Sequence, residues 1–385
     1  MKIRTLFLAL ASASLPALAP AAELKIGFVT SVTGSQAPVA RDMIDAFNLS
    51  IKNLGGKIAG NDVKVIVADD QEKPDVARQA AERLVERERV DLVTGPIITN
   101  MLLAAAKPVS DAKRLLVSIN SGPSDFAGEK CSPNFFVLGF ENQTIGRATG
   151  MAAKELGFSK IAMMGWNTPG ARDLAAGFKQ AFPGTVVKEI YTPPSQQDFA
   201  AEITSLKALD VDGLYYFYPS QVGVNFLKQL TQVGYAMDRV VGSYLALDHI
   251  MLTQVGPEVA GTNVVSLWTE QLDNPENKRF VTSFREAYGR TPSAFAAQAY
   301  DLPVLLDAAL RRNGGKTEMN ALRAAMKTTP FPSVRGAFSF ASNQFPIQNF
   351  YVTKIERSST GLSYAVRTTL PNLKDELAEK CPIKD

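Results

Sequence analysis

Apolar residues along the 385-residue chain fall into two kinds of segment that alternate. "LKIGFVT", "VKVIVAD", "VDLVTGP" and "RLLVSIN" are short, nearly continuous apolar runs. Between them, apolar positions recur at helical spacing over 37–54, 74–88 and from Thr99 to Lys113. Continuous runs of this length mark strands buried on both faces, and the 3.6-residue spacing marks amphipathic helices. The β-α-β-α order predicts parallel strands with crossover helices on both faces of a sheet.

The rhythm restarts after "NFFVLGF", with helices predicted over 142–156, 171–181, 198–208 and from Ser220 to Val233. "KIAMMGW", "TVVKEIY", "GLYYFYP", "RVVGSYL" and "GTNVVSLW" are the matching strands. Helices over 275–288, 293–312 and near 317–327 follow, then a hairpin turning at 358–361. The fold class is therefore α/β, one such domain followed by another. In "GLYYFYP", Tyr215 to Phe217 fit a buried strand, while the Tyr218 hydroxyl needs a partner where the strand ends. Ligands of open α/β sheets sit beyond the carboxyl ends of the strands. Tyr218 is accordingly predicted to look into a cleft.

The first residues change the picture of where the protein acts. Lys2 and Arg4 precede an apolar stretch from Leu6 to Leu18, and Ala19-Pro20-Ala21 has the small-x-small pattern of a cleavage site. That is the pattern of a removed secretory signal, 1–22, and it predicts a periplasmic protein. The remaining length, roughly 363 residues, exceeds what one core usually covers, so two domains are expected. Taking Lys2 and Arg4 from the 41 basic residues leaves 39 against 38 acidic ones. Such a balance gives no electrostatic reason to expect nucleic acid as a partner. Cys131 and Cys381 are the two cysteines, and in an oxidising compartment an even pair predicts one disulfide. With His249 the single histidine, no zinc site is expected, and no other cofactor is implied. "GPSDF" carries Phe126 where a nucleophile elbow needs glycine, so no catalytic residues are assigned and enzymatic activity is not expected.

Four longer motifs occur in register: "IGFVTSVTGSQA", "DLVTGPIITNMLLAAAKPV", "DFAAEITSLKALDVDGLYYFYPSQVGVNFLKQLTQVGY" and "AAQAYD". Through them the chain resembles the leucine/isoleucine/valine-binding family of periplasmic solute receptors, the type I binding proteins of ABC importers. The resemblance implies two Rossmann-like lobes with parallel central sheets, joined by a three-segment hinge that closes on ligand. Lobe one would comprise 23–138 plus 266–347, and lobe two 139–265 plus 348–385. It also implies a small-molecule carboxylate ligand, an ABC transporter membrane permease as partner, and a monomer.

Site residues follow from the same resemblance. The ligand carboxylate would meet two lobe-one loops, "GPIITN" with Thr99 and Asn100, and "SINSGPS" with Ser118, Asn120, Ser121 and Gly122. A helix start with free N–H groups suits an anion. Thr99 and Ser121 would equally serve as helix or turn caps. In lobe two the family's tyrosine corresponds to Tyr218, and its site-lining aromatic falls at Pro169, beside Asn167 and Thr168. The acid that accepts an amino-acid ammonium lies in a "G-x-[DE]-G" loop, which here reads "GSYLALD" with Tyr244 in its place. An unneutralised buried ammonium costs several kcal/mol, and a phenol is a poor substitute for a carboxylate. Tyr218, Tyr244, Phe140 and Trp166 instead suggest a flat ligand: an aromatic acid of the benzoate, phenylacetate or hydroxycinnamate kind. Branched-chain or other amino-acid binding, or ligand sensing, are the alternatives within this family.

Overall fold

The computed structural model of the chain describes residues 23–358 and 361–383. The predicted secretory signal lies outside the described residues, as do the two residues at the tip of the predicted hairpin.

The first lobe opens with β1 (Glu23–Thr30), α1 (Ala37–Asn53), β2 (Lys57–Ile58), β3 (Asn61–Asp69) and α2 (Pro74–Glu86). It continues with β4 (Leu92–Thr94), α3 (Thr99–Asp111), β5 (Leu115–Ser118), β6 (Ser121–Gly122), α4 (Ser124–Ala127) and β7 (Phe135–Val137). Strand order in its sheet is β2-β3-β1-β4-β5-β7, and every neighbouring pair except β2–β3 is parallel. The alternating pattern of short apolar runs and amphipathic stretches thus forms a doubly covered parallel sheet, as its periodicity requires.

At β8 (Phe140–Glu141) the chain crosses to the second lobe. There it forms α5 (Asn142–Glu155), β9 (Lys160–Trp166), α6 (Pro169–Ala181), β10 (Thr185–Thr192), α7 (Ala200–Lys207) and β11 (Gly213–Phe217). α8 (Ser220–Gln232), β12 (Val240–Ser243), α9 (His249–Leu252) and β13 (Asn263–Ser266) follow. α10 (Pro275–Tyr288), α11 (Ala294–Arg312) and α12 (Met319–Thr328) return to the first lobe, where Arg290 and Ser293 between them bond to Asp42 of α1. β14 (Phe338–Phe340), β15 (Pro346–Ser358) and β16 (Gly361–Leu373) then complete the second sheet. Its order is β10-β9-β11-β12-β13-β15-β14, with β16 on β15.

Two segments lie elsewhere than the expected lobe boundaries put them. β14, expected in lobe one, pairs antiparallel with β15 in the second sheet, while the turn between the two strands stays on lobe one, where Gln344 Nε2 donates to the Phe135 carbonyl (2.7 Å) and Phe345 joins the core. The tail after β16, expected in lobe two, returns to lobe one. Asp375 accepts hydrogen bonds from Asn343, Leu377 packs beside the lobe-one core, and Cys381 is disulfide-bonded to Cys131. A cysteine 250 residues away in sequence overrides what strand order alone would dictate.

The crossings are held by a buried polar knot. The Arg335 guanidinium donates to Asp301 of α11 (2.8 Å) and to Gln348 (2.7 Å), and Gln348 donates to the Gly139 carbonyl (2.8 Å). Gly139 itself presses against the first lobe: a Cβ there would lie 1.9 Å from the Asn120 carbonyl oxygen. The backbone at this crossing therefore tolerates no side chain.

Candidate functional site

Between the lobes, beyond the carboxyl ends of both sheets, is a cavity of about 60 Å³. None of the side chains lining it is charged. A wider groove of about 1100 Å³ passes Asp42, Arg290 and His249. Arg290 there is already paired with Asp42 and Asp45, and His249 Nε2 lies 3.0 Å from a Glu270 carboxylate oxygen.

Lobe one supplies the polar wall. β4 ends in a loop that leads directly into α3, whose first residues, Thr99 and Asn100, line the cavity. The residue before this helix, Ile98, offers no side-chain cap; its carbonyl accepts from Met101 N (3.0 Å), and the N–H groups of Thr99 and Asn100 keep their capacity to bind. The loop after β5 brings Asn120 and Ser121 alongside. Asn120 Nδ2 donates to the Ile97 carbonyl (2.6 Å) and so ties the two loops together. Ser121 Oγ and Asn120 Oδ1 are buried and have no partner among the described residues. Asn142, the first residue of α5, also lines the cavity; its Nδ2 donates to Asp173 (3.1 Å) and its Oδ1 is unpartnered. Behind it, burial pushes the Asp173 carboxyl above its usual range while that hydrogen bond pulls it back.

Lobe two supplies the apolar wall. Trp166 ends β9 and Phe217 ends β11, and their rings meet edge to face at 6.4 Å. Ala171 and Leu174 of α6, with Pro219 and Leu245, extend this surface. Trp166 Nε1 is buried without a partner. The start of α6, capped by Thr168, abuts the start of α3. A Cβ on Gly170 would lie 2.7 Å from Thr99 Oγ1, so the two lobes touch across the cavity.

Of the residues singled out from sequence, Thr99, Asn100, Asn120, Ser121, Phe140 and Trp166 line the cavity. Six do not. Ser118 is buried beneath the loop, donating to the Ser121 carbonyl at 2.7 Å. Gly122 packs against the Phe140 carbonyl and Phe345. Asn167 faces outward and accepts from Arg172 at 2.9 Å. Pro169 begins α6 between two lining residues without lining the cavity itself.

The two tyrosines are the larger corrections. Alternation along β11 puts Tyr215 and Phe217 on one face and Tyr216 and Tyr218 on the other. Tyr218 consequently packs on Phe199 and Phe226 inside lobe two, its hydroxyl 3.4 Å from Thr192 Oγ1, and burial pushes that hydroxyl's pKa up to about 12. Phe217, one residue earlier, faces the cavity instead. Tyr244 is fully buried behind the wall formed by Phe140 and Phe295, and its hydroxyl accepts from Gln298 of α11 at 3.0 Å. Asp248, four residues on, caps α9 through Ile250 N and does not line the cavity. Among the residues that sequence reasoning missed, Phe217 was accessible from strand parity. Asn142, Leu245 and Phe295 come from distant elements that only the tertiary packing brings together.

With this geometry in view, comparison with known proteins is direct. Residues 23–361 match the model of the periplasmic binding protein family. A benzoate-bound ABC-transporter solute-binding protein from R. palustris is 28% identical, covers 94% of this chain and 100% of its own, and superposes with a TM-score of 0.88. A solute-binding protein from Rhodopseudomonas palustris BisB5 in complex with 3,4-dihydroxybenzoic acid is also 28% identical, covers 92% and 99%, and has a TM-score of 0.86. A Leu/Ile/Val-binding protein homolog from Brucella suis is 24% identical over 92% of this chain and 94% of its own length. The chain belongs to the periplasmic binding protein family, type I, whose members serve ABC transporters as solute-binding proteins.

Proposed function

We propose that this protein captures an aromatic carboxylic acid between its lobes in the periplasm and presents it, as a monomer, to the membrane permease of an ABC importer. The observation that carries this reading is a cavity with an aromatic wall, a helix start and no charged lining. A carboxylate is stabilised by the N–H groups of Thr99 and Asn100 at the start of α3 together with Ser121 Oγ and Trp166 Nε1, the last two buried without partners among the described residues. An α-ammonium group finds no carboxylate on the lining, and burying it there is costly. Trp166, Phe217, Phe140 and Phe295 offer a ring edges and faces from several sides.

Size supports a mechanism of opening and closure. The cavity, at about 60 Å³, is smaller than the roughly 150 Å³ that admits benzene. A ring enters only after the lobes part at the crossings, and ligand favours the closed form by its greater affinity for that form. The permease then reads the closed arrangement.

Thermal-shift and calorimetric screening of the protein against benzoate, phenylacetate and hydroxycinnamate, beside leucine, isoleucine and valine, tests the proposal. Stabilisation by one or more aromatic acids is expected. Stabilisation by a branched-chain amino acid and by no aromatic acid would overturn it.

A further inference from the structure

Two side-chain oxygen atoms of residues that line the cavity lack donors among the described residues. Asn120 and Asn142 are 3% and 1% exposed, and Oδ1 of each is unpartnered among the described residues. The chemistry of their neighbours fixes how both amides point. Each Nδ2 faces a group that accepts hydrogen bonds, the Ile97 carbonyl at 2.6 Å and the Asp173 carboxylate at 3.1 Å. Turning either amide over would set oxygen against oxygen. Both Oδ1 atoms are therefore held as acceptors on a wall whose other free groups, Ser121 Oγ and Trp166 Nε1, can donate.

We propose that Asn120 and Asn142 determine specificity by selecting, among aromatic acids, those that carry a ring hydroxyl. The inference rests on the aromatic-acid reading above. A carboxylate uses the donors of the cavity and leaves the two amide oxygens unserved. A buried acceptor without a donor is destabilising, and sites built to meet a substrate hydroxyl discriminate strongly against the analogue that lacks it. The donor supplied must be uncharged, because no carboxylate lines the cavity to neutralise an ammonium. A phenol hydroxyl meets that requirement on a flat, compact molecule.

Calorimetric titration with benzoate, the three monohydroxybenzoates, 3,4-dihydroxybenzoate and isoleucine tests the inference. At least one hydroxylated acid is expected to bind about tenfold or more tighter than benzoate. Equal binding of benzoate and every hydroxylated acid would overturn the inference and leave the aromatic-acid reading standing; binding of isoleucine alone would overturn both. In Asn142→Leu, close to isosteric, the loss should fall on the preferred hydroxylated acid about tenfold more heavily than on benzoate. An equal loss on both would overturn the role of Asn142. Should that variant fail to fold, the ranking of ligands by the unaltered protein still decides whether a ring hydroxyl is selected, and Asn142→Asp, which keeps the oxygen, replaces it as the test of the residue: an unchanged preference for the hydroxylated acid is expected, and its loss would overturn the role of Asn142.

Discussion

The lobe-one wall of the cavity presents a helix start and loops of small polar residues, Thr99, Asn100, Asn120 and Ser121, whereas the lobe-two wall presents Trp166, Phe217, Leu174 and Leu245. Each wall alone is ordinary for its lobe: the first is a set of strand-to-helix loops, the second the rim of an apolar core. Facing each other, they divide a ligand's needs. One side can hold an anion by neutral donors, the other can cover a ring, and neither brings a formal charge to the space between them. Orientation of the ligand then follows from which wall each of its ends prefers.

The largest effect expected from disturbing this pairing comes from the contact between the walls. Gly170→Leu sets a side chain where even a Cβ would lie 2.7 Å from Thr99 Oγ1. It should hold the lobes apart and weaken ligand binding about a hundredfold or more, read by calorimetry, with the thermal midpoint of the unliganded protein little changed. Next come the walls themselves. Ser121→Ala and Phe217→Ala should each weaken binding of an aromatic acid about tenfold, one through the lost donor and one through the lost ring contact. Tyr218→Phe separates the two faces of β11. Its hydroxyl reaches only Thr192 at 3.4 Å, so affinity should stay within about twofold; a loss equal to that of Phe217→Ala would return Tyr218 to the cavity.

Smaller effects are expected away from the walls. Replacing both Cys131 and Cys381 by serine releases the tail from lobe one and should lower stability by about 2–5 kcal/mol in chemical denaturation while leaving the ligand ranking as it was. Asp248 offers a pH-dependent test. Burial raises its carboxyl from 3.8 to about 7, so between those values the folded chain holds a proton that the unfolded chain has released. Its contribution to stability is therefore present at low pH and lost as pH rises through about 7. Asp248→Asn keeps an oxygen for Ile250 N and removes that loss. The variant should gain on the order of 4 kcal/mol over the parent at pH 8 and little at pH 4, measured by denaturant unfolding at both. A gain of equal size at both pH values would point to another cause.

The lobe-one wall was legible in the sequence because its residues follow one another along the chain. "GPIITN" and "SINSGPS" each join a strand end to the next element, and short polar residues at such joints belong to loops whatever the remote packing is. The lobe-two wall was less so. Reading "YYFYP" as a strand was sound, but choosing Tyr218 by its nearness to the strand end ignored the side-to-side alternation that selects Phe217. Tyr244, read as a cavity residue, instead spends its ring on Phe140 and Phe295 and its hydroxyl on Gln298. Nothing local distinguishes Asn142 from any helix-starting asparagine; only the crossing at Gly139 carries it to the cavity edge.

Hydrophobic periodicity in this chain determined the alternation of strands and helices, the division into two α/β lobes and the polar character of one wall, because each depends on neighbours within about one helical turn or one strand. Three-dimensional packing decided which face of β11 meets the cavity, where the tail after β16 docks, and which amide oxygens are left without donors. Those outcomes depend on contacts between residues far apart in sequence, such as Gln298 with Tyr244 and Cys131 with Cys381, and a linear pattern of polar and apolar positions does not encode which distant surfaces will meet.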